Sequence, residues 1–165
     1  MSQPQQSSPS RPIIVGVDGS EPSRLALRYA VDMASRLGLP LHALVAWDYP
    51  TLSWGDAWYP PESMETLEEG ALEVAEQEAR RVFPAERPDW FTTGTRQGDT
   101  ADQLIVASRD AAMLVVGTRG HGGFTGLLLG SVSRACAAHA HCPVLIVRSE
   151  RGSEDGAGLP GSTGS

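Results

Sequence analysis

The stretch Val115-Val116-Gly117-Thr118-Arg119-Gly120-His121-Gly122-Gly123-Phe124-Thr125-Gly126-Leu127-Leu128-Leu129-Gly130-Ser131-Val132-Ser133 decides the fold. It opens as the end of a short apolar run with β-branched residues, the mark of a strand buried on both faces. It continues as a loop with six glycines in the fourteen positions 117–130. It closes at Gly130-Ser131, where a helix can begin. A strand that passes through a glycine loop into a helix is the joint of a parallel sheet with crossover helices.

The same stretch carries chemistry. Glycine lacks Cβ, so it reaches positive φ without strain and lets an anion come close to main-chain N–H groups. The first turn of the following helix leaves about four N–H groups unpaired and bears roughly half a positive charge. Ser131, Val132 and Ser133 are therefore placed to hold phosphate oxygens, with the Ser131 hydroxyl as a further donor. Arg119 either pairs with a phosphate or is simply solvated. The spacing is not the dinucleotide fingerprint, because it follows a late strand and lacks the third glycine at the required offset.

Outward from this joint, apolar runs alternate with segments of helical period, and five strands are readable. The first, 13–17, leads into Asp18-Gly19-Ser20, where Ser20 and Pro22 supply the start of a helix. That helix places Ala26, Ala30, Met33, Ala34 and Leu37 on one face and stops at Gly38. The second strand is 41–47. Residues 62–83 form a helix with Met64, Leu67, Ala71, Val74, Ala75 and Val82 set against an acidic, solvated face. A weaker strand at 90–95 precedes Gly98-Asp99-Thr100 and a short helix, 101–109, that buries Leu104, Ile105 and Ala107 or Ser108. The fourth strand is 113–116. The fifth is 143–147, after a helix that starts at Gly130-Ser131 and ends near His141.

Ligands of an open parallel sheet settle outside the carboxyl ends of strands where the strand order reverses. Asp18 and Gly117 share such a crevice if the first and fourth strands are neighbours. Asp18 there could bind Mg2+ held by phosphates or hydrogen-bond a nucleoside.

The composition bounds the function. A chain of 165 residues suits one domain; the expected division is a polar tail at 1–10, a folded unit at 11–149 and a glycine-rich tail at 150–165. The formal net charge is -7, and the thirteen arginines form no basic run, which argues against nucleic acid. The chain has no lysine, so a P-loop, a kinase-type lysine and a Schiff base are excluded. No apolar run approaches the roughly 20 residues of a membrane span, and no leader pattern opens the chain, so a cytoplasmic protein is expected.

Other candidates carry less. His121 has no adjacent carboxylate to orient it, and no catalytic residue is assigned. Cys136, His139, His141 and Cys142 run from a helix into a strand, which scatters their side chains, so no metal site is expected and the cysteines read as small buried thiols. The segment 47–61 holds three of the four tryptophans and three of the twelve prolines. It reads equally as a lid, as a contact surface or as a plug on its own domain.

Taken together these residues resemble the universal stress protein family, whose ATP-binding members carry Gly-x2-Gly-x9-Gly-(Ser/Thr) after the fourth strand. Gly117, Gly120, Gly130 and Ser131 match it without a gap. So do the opening Val15-Gly16-Val17-Asp18-Gly19-Ser20, the Gly98 turn and the closing Cys142-Pro143-Val144-Leu145-Ile146-Val147, which together span about 11–148. The resemblance implies an α/β fold of the adenine nucleotide alpha hydrolase-like type, a doubly wound, open five-stranded parallel sheet with helices on both faces. It implies ATP with Mg2+, adenosine near Gly16, Val17 and Asp18, and a main-chain contact to adenine near Ala46. It places the phosphates along Gly117, Thr118, Arg119 and Gly120 and at Gly130, Ser131, Val132 and Ser133. It also implies a homodimer through Val144 to Val147, which would otherwise be an exposed apolar edge.

Three functions are compatible: a nucleotide-gated regulator of the stress response, a slow Mg-dependent ATPase or phosphotransferase, and a nucleotide-free adaptor. The intact glycine motif argues for the first over the third. The lack of a clear general base argues against the second.

Overall fold

In a computed structural model the described residues are 10–49, 61–119 and 129–148, with side chains described from 64 in the second block. The expected tails apart from Ser10, residues 50–60 of the Trp/Pro-rich segment, and the glycine loop from Gly120 to 128 lie outside them. The elements are β1 (Ile13–Gly16), α1 (Glu21–Leu37), β2 (Leu41–Trp47), α2 (Pro61–Val82), β3 (Phe91–Gln97), α3 (Thr100–Ala107), a 3₁₀ turn (Ser108–Asp110), β4 (Met113–Gly117), α4 (Ser131–His139) and β5 (Val144–Val147). The strands form one sheet in the order β3-β2-β1-β4-β5, parallel at every pairing. This is the doubly wound α/β sheet that the sequence predicts. The order reverses between β1 and β4, which are neighbours, so their carboxyl ends flank a crevice.

Local chemistry fixes where the helices begin. At α1 the Ser20 hydroxyl accepts the Ser23 N–H, a proline occupies the first turn, and Gly38 closes the helix at φ 62°. At α3 the Asp99 carboxylate accepts the Asp102 N–H at 3.1 Å.

Side-chain alternation sorts the strands into two cores. Ile13, Val15, Leu41, Ala43, Val45, Phe91 and Val115 bury one face against the alanine rows of α1 (Ala26, Ala30, Ala34) and α2 (Ala71, Ala75, Ala79). Ile14, Leu44, Leu114 and Val116 bury the other face with Leu104, Ala107 and Cys136 of α3 and α4. Alanine brings these helix backbones close to the sheet, and Arg24 of α1 pairs with the buried Glu78 of α2 at 3.0 Å where the two helices meet. Among the described residues no helix is long and apolar enough to cross a membrane.

Several details differ from the sequence reading. Leu37 is 54% exposed, not part of the buried face. Seventeen helical residues span about 25 Å whereas the four of β1 span about 13 Å, so the last turn of α1 outruns its strand. Met64, near the start of α2, is also exposed. β3 runs on to Gln97 because it pairs with the whole of β2, from Leu41 with Phe91 to Trp47 with Gln97. Past Ala107 the chain tightens into the 3₁₀ turn, where the buried Ser108 hydroxyl donates to the Ile105 carbonyl at 2.6 Å and accepts the His141 N–H at 2.8 Å. β5 stands at the sheet edge with Val144, Leu145 and Ile146 partly exposed.

Candidate functional site

A cavity of about 330 Å³ opens at the carboxyl ends of β1 and β4, at the lower end of the roughly 300–1,000 Å³ usual for small-molecule sites. Its wall takes Gly16, Val17 and Asp18 from the end of β1, Val116 and Gly117 from β4, and Arg119 from the start of the glycine loop. Gly130, Ser131, Val132 and Ser133 enter from the start of α4, Ser23 from α1, and Thr100 and Leu104 from α3.

Asp18 is held by the turn that starts α1. One carboxylate oxygen, Oδ1, accepts the Ser20 N–H at 2.9 Å, and Gly19 adopts φ 78° to allow the bend. The Asp18 N–H donates to Ser23 Oγ at 3.3 Å, and that hydroxyl donates to the Ser20 carbonyl at 3.0 Å. Asp18 therefore lines the cavity on a turn braced from both sides.

Of the three described helices with a resolved cap, α4 alone lacks a capping side chain. Ser20 caps α1 and Asp99 caps α3, but the cap of α4 is Gly130, which has none to offer. The first turn of α4 at Ser131, Val132 and Ser133 thus meets the cavity without a capping side chain, and Arg119 belongs to the same wall. A positive helix end and an arginine on one wall suit an anion. Leu104, Val116 and Val132 give the rest of the wall apolar surface against which a flat ring can pack.

Gly117 has a role beyond close approach to an anion. A Cβ built on it would stand 2.7 Å from the main-chain carbonyl carbon and oxygen of Pro22, so the first turn of α1 already fills that space. Thr118 does not line the cavity. Its N–H donates to the Val147 carbonyl at 3.1 Å, and its own carbonyl accepts the Gly130 N–H at 2.7 Å and the Ser133 hydroxyl at 3.0 Å. Ala46, on β2 and opposite Arg96 of β3, does not line the cavity either. Gly120 and His121 lie outside the described residues.

Ser23, Thr100, Leu104 and Val116 are cavity residues that the sequence reading does not assign. The first turns of α1 and α3 also follow strand ends, so the helix-start argument that assigns Ser131 extends to Ser23 and Thr100 once those helices are placed at the same crevice. Leu104 and Val116 look like any other core residue in the sequence.

Cys136 is fully buried, and burial, followed by Asp99 and Cys142, pushes its thiol up to about 11. Burial also raises Cys142, which is partly exposed. Among the described residues no group of three or more His, Cys, Asp or Glu side chains could hold a metal ion.

The family model described as the universal stress protein family matches residues 9–148. A universal stress protein of Mycobacterium tuberculosis is 37% identical over 158 residues, an alignment covering 88% of this chain and 47% of the relative. The chain thus spans about half the length of the curated relatives it matches. Among solved structures, a universal stress protein in complex with cAMP superposes with a TM-score of 0.63 at 24% identity, covering 85% of this chain and 98% of the other. The universal stress protein of Archaeoglobus fulgidus in complex with dAMP gives 0.56 at 24% identity, covering 84% and 98%. With its glycine motif, its β3-β2-β1-β4-β5 sheet and a family match across all of the described residues, this chain belongs to the universal stress protein family.

Proposed function

We propose that the chain binds an adenine nucleotide, ATP with Mg2+, in the cavity between β1 and β4, and that occupancy gates its action as a regulator in the stress response. One observation carries this reading: the uncapped first turn of α4 and Arg119 stand on the cavity wall with Asp18. Solved relatives in complex with cAMP and dAMP support the choice of an adenine nucleotide.

In this reading the N–H groups of Ser131, Val132 and Ser133 hold the phosphates, and the Ser131 hydroxyl and Arg119 add donors. Gly16 and Val17 pass beneath the nucleoside, and Asp18 accepts from its sugar. Leu104, Val116 and Val132 take the apolar face of the base. The main chain of Ala46, at the end of β2 and beyond the described cavity wall, is the proposed contact for an adenine edge that reaches past that wall. Gly120 enters on its motif spacing, and Thr118 acts through its backbone rather than as a contact. Asp18 is the one carboxylate among the described lining residues. Mg2+ therefore arrives bound to the phosphates, where it neutralises part of their charge.

The partly exposed apolar edge of β5, Val144–Val147, is the proposed homodimer seam, and the cytoplasm the proposed compartment. Neither nucleic acid nor membrane is a proposed partner.

The test starts with protein purified without added nucleotide and then denatured, the released small molecules being identified by mass. The apo chain is next incubated with ATP and Mg2+ while ADP is followed. Intact adenine nucleotide, or binding with negligible ADP, is the expected result. Steady ADP production moves the function to a hydrolase. No adenine nucleotide in either assay contradicts the proposal and leaves a protein-binding adaptor.

A further inference from the structure

Ser133 lies in the first turn of α4 and belongs to the cavity wall, yet it is only 2% exposed. The hydroxyl stands 3.1 Å from the Gly130 carbonyl, the local contact that a serine three residues into a helix commonly makes. It also stands 3.0 Å from the Thr118 carbonyl, across the mouth of the glycine loop. The same carbonyl accepts the Gly130 N–H at 2.7 Å. Thr118 is anchored in turn, its N–H donating to Val147 of β5 at 3.1 Å. The two ends of the loop are thus fastened to each other and to the sheet by described residues alone.

Resting on the nucleotide reading above, we propose a positioning role for the Ser133 side chain, distinct from the phosphate contact of its main-chain N–H. Its hydroxyl clasps Thr118 to the start of α4 and so holds the uncapped N–H groups in place for a phosphate before the ligand arrives, without touching the ligand. A donor already held in its bound geometry loses less freedom on binding. With the clasp gone, the Gly130–Thr118 bond alone fixes the loop mouth, and part of the binding energy goes into ordering the turn.

A role in holding phosphate donors separates from a general packing role by ligand chemistry. AMP engages the N–H groups of the α4 first turn through its phosphate; adenosine, which lacks the phosphate, does not. Calorimetric titration of the wild-type chain, Ser133→Ala and Ser133→Thr with both ligands tests this. Ser133→Ala is expected to weaken AMP about fivefold to tenfold, the effect of one hydrogen bond. Adenosine is expected to change by less than about twofold, and Ser133→Thr, which keeps the hydroxyl, to restore AMP to within about twofold. An unchanged AMP affinity, or an equal loss for AMP and adenosine, overturns the proposal.

A second readout needs no ligand. In the free chain, hydrogen exchange at the Gly130 amide should quicken about tenfold in Ser133→Ala, because its bond to Thr118 loses its partner in the clasp. Unchanged exchange also overturns the proposal. If the wild-type chain binds neither AMP nor adenosine, the nucleotide reading fails by itself, and the exchange measurement still decides on the clasp.

Discussion

A methyl group placed on Gly117 would stand 2.7 Å from the main-chain carbonyl carbon of Pro22, closer than carbon atoms approach without bonding. The carboxyl end of β4 and the first turn of α1 therefore touch backbone to side-chain position, and neither side can yield by rotating a side chain. Gly130 differs. Its Cβ would come no closer than 3.4 Å to any neighbour, the nearest being the Thr118 carbonyl oxygen. Two glycines of one motif thus serve different physical ends.

Gly117→Ala is accordingly expected to destabilise the chain by about 2 kcal/mol through overpacking. Gly130→Ala should cost less than about 1 kcal/mol, the effect of a poorer cap residue. Urea unfolding midpoints at equal slope measure both. Equal losses for the two variants would contradict the assignment of Gly117 to packing.

At Asp18 the turn and the charge can be separated. Asn keeps a side-chain oxygen to accept the Ser20 N–H, now at 2.9 Å, but removes the negative charge. Asp18→Asn should leave the unfolding midpoint within about 0.5 kcal/mol of wild type, while Asp18→Ala, which loses the turn bond, should cost about 1 kcal/mol. Both should weaken adenine nucleotide binding by about tenfold or more if the carboxylate accepts from the sugar. Undiminished binding in both variants would remove Asp18 from the site.

Cys136 gives a pH dependence whose sign follows from its burial. Its folded pKa, pushed up to about 11, lies above the ordinary 9.0, so the unfolded chain ionises first as pH rises. Its contribution is intact below pH 9 and is lost between pH 9 and 11. In a Cys142→Ser background, the alkaline fall in stability should be steeper with Cys136 present than in Cys136→Ala. Thiol labelling of the native wild-type chain should reach the partly exposed Cys142 well before the buried Cys136. Equal alkaline slopes, or simultaneous labelling, would show that Cys136 is not sealed in the core.

The sheet was legible because its strands announce themselves. Ile13–Gly16, Leu41–Trp47 and Met113–Gly117 are apolar runs buried on both faces, and no helix of that length stands alone. β3 was harder. Its Thr92, Arg96 and Gln97 are exposed on an edge strand, so the pattern that marks a buried strand fades before the strand ends. Leu37 departs from its pattern for another reason: periodicity assigns a face but cannot see where the sheet beneath that face stops.

The cavity was legible from its chain-local half. The sequence joins a strand end, glycines and a helix start, and that pattern reaches Gly117, Arg119 and Gly130 to Ser133. Ser23, Thr100 and Leu104 arrive from other crossovers, and only the parallel sheet brings them to the same crevice. The side-chain role of Ser133 was hidden as well, because sequence places its N–H in the first turn but says nothing of which way its hydroxyl faces. Thr118, counted among the contacts by its position in the motif, has its backbone already engaged by Val147, Gly130 and Ser133.

The start of α4 is the proposed seat of the phosphates of an adenine nucleotide. Calorimetric titration of the apo wild-type chain and of Gly130→Asp with ATP and Mg2+ tests it most directly. Asp is a good cap residue and Gly130 has φ -73°, so the variant is expected to fold while placing a carboxylate where the phosphates would lie. Saturable binding to the wild-type chain is expected, with a loss of about a hundredfold or more in the variant, the result of like charge at a desolvated site. Equal affinity in the two proteins would contradict it.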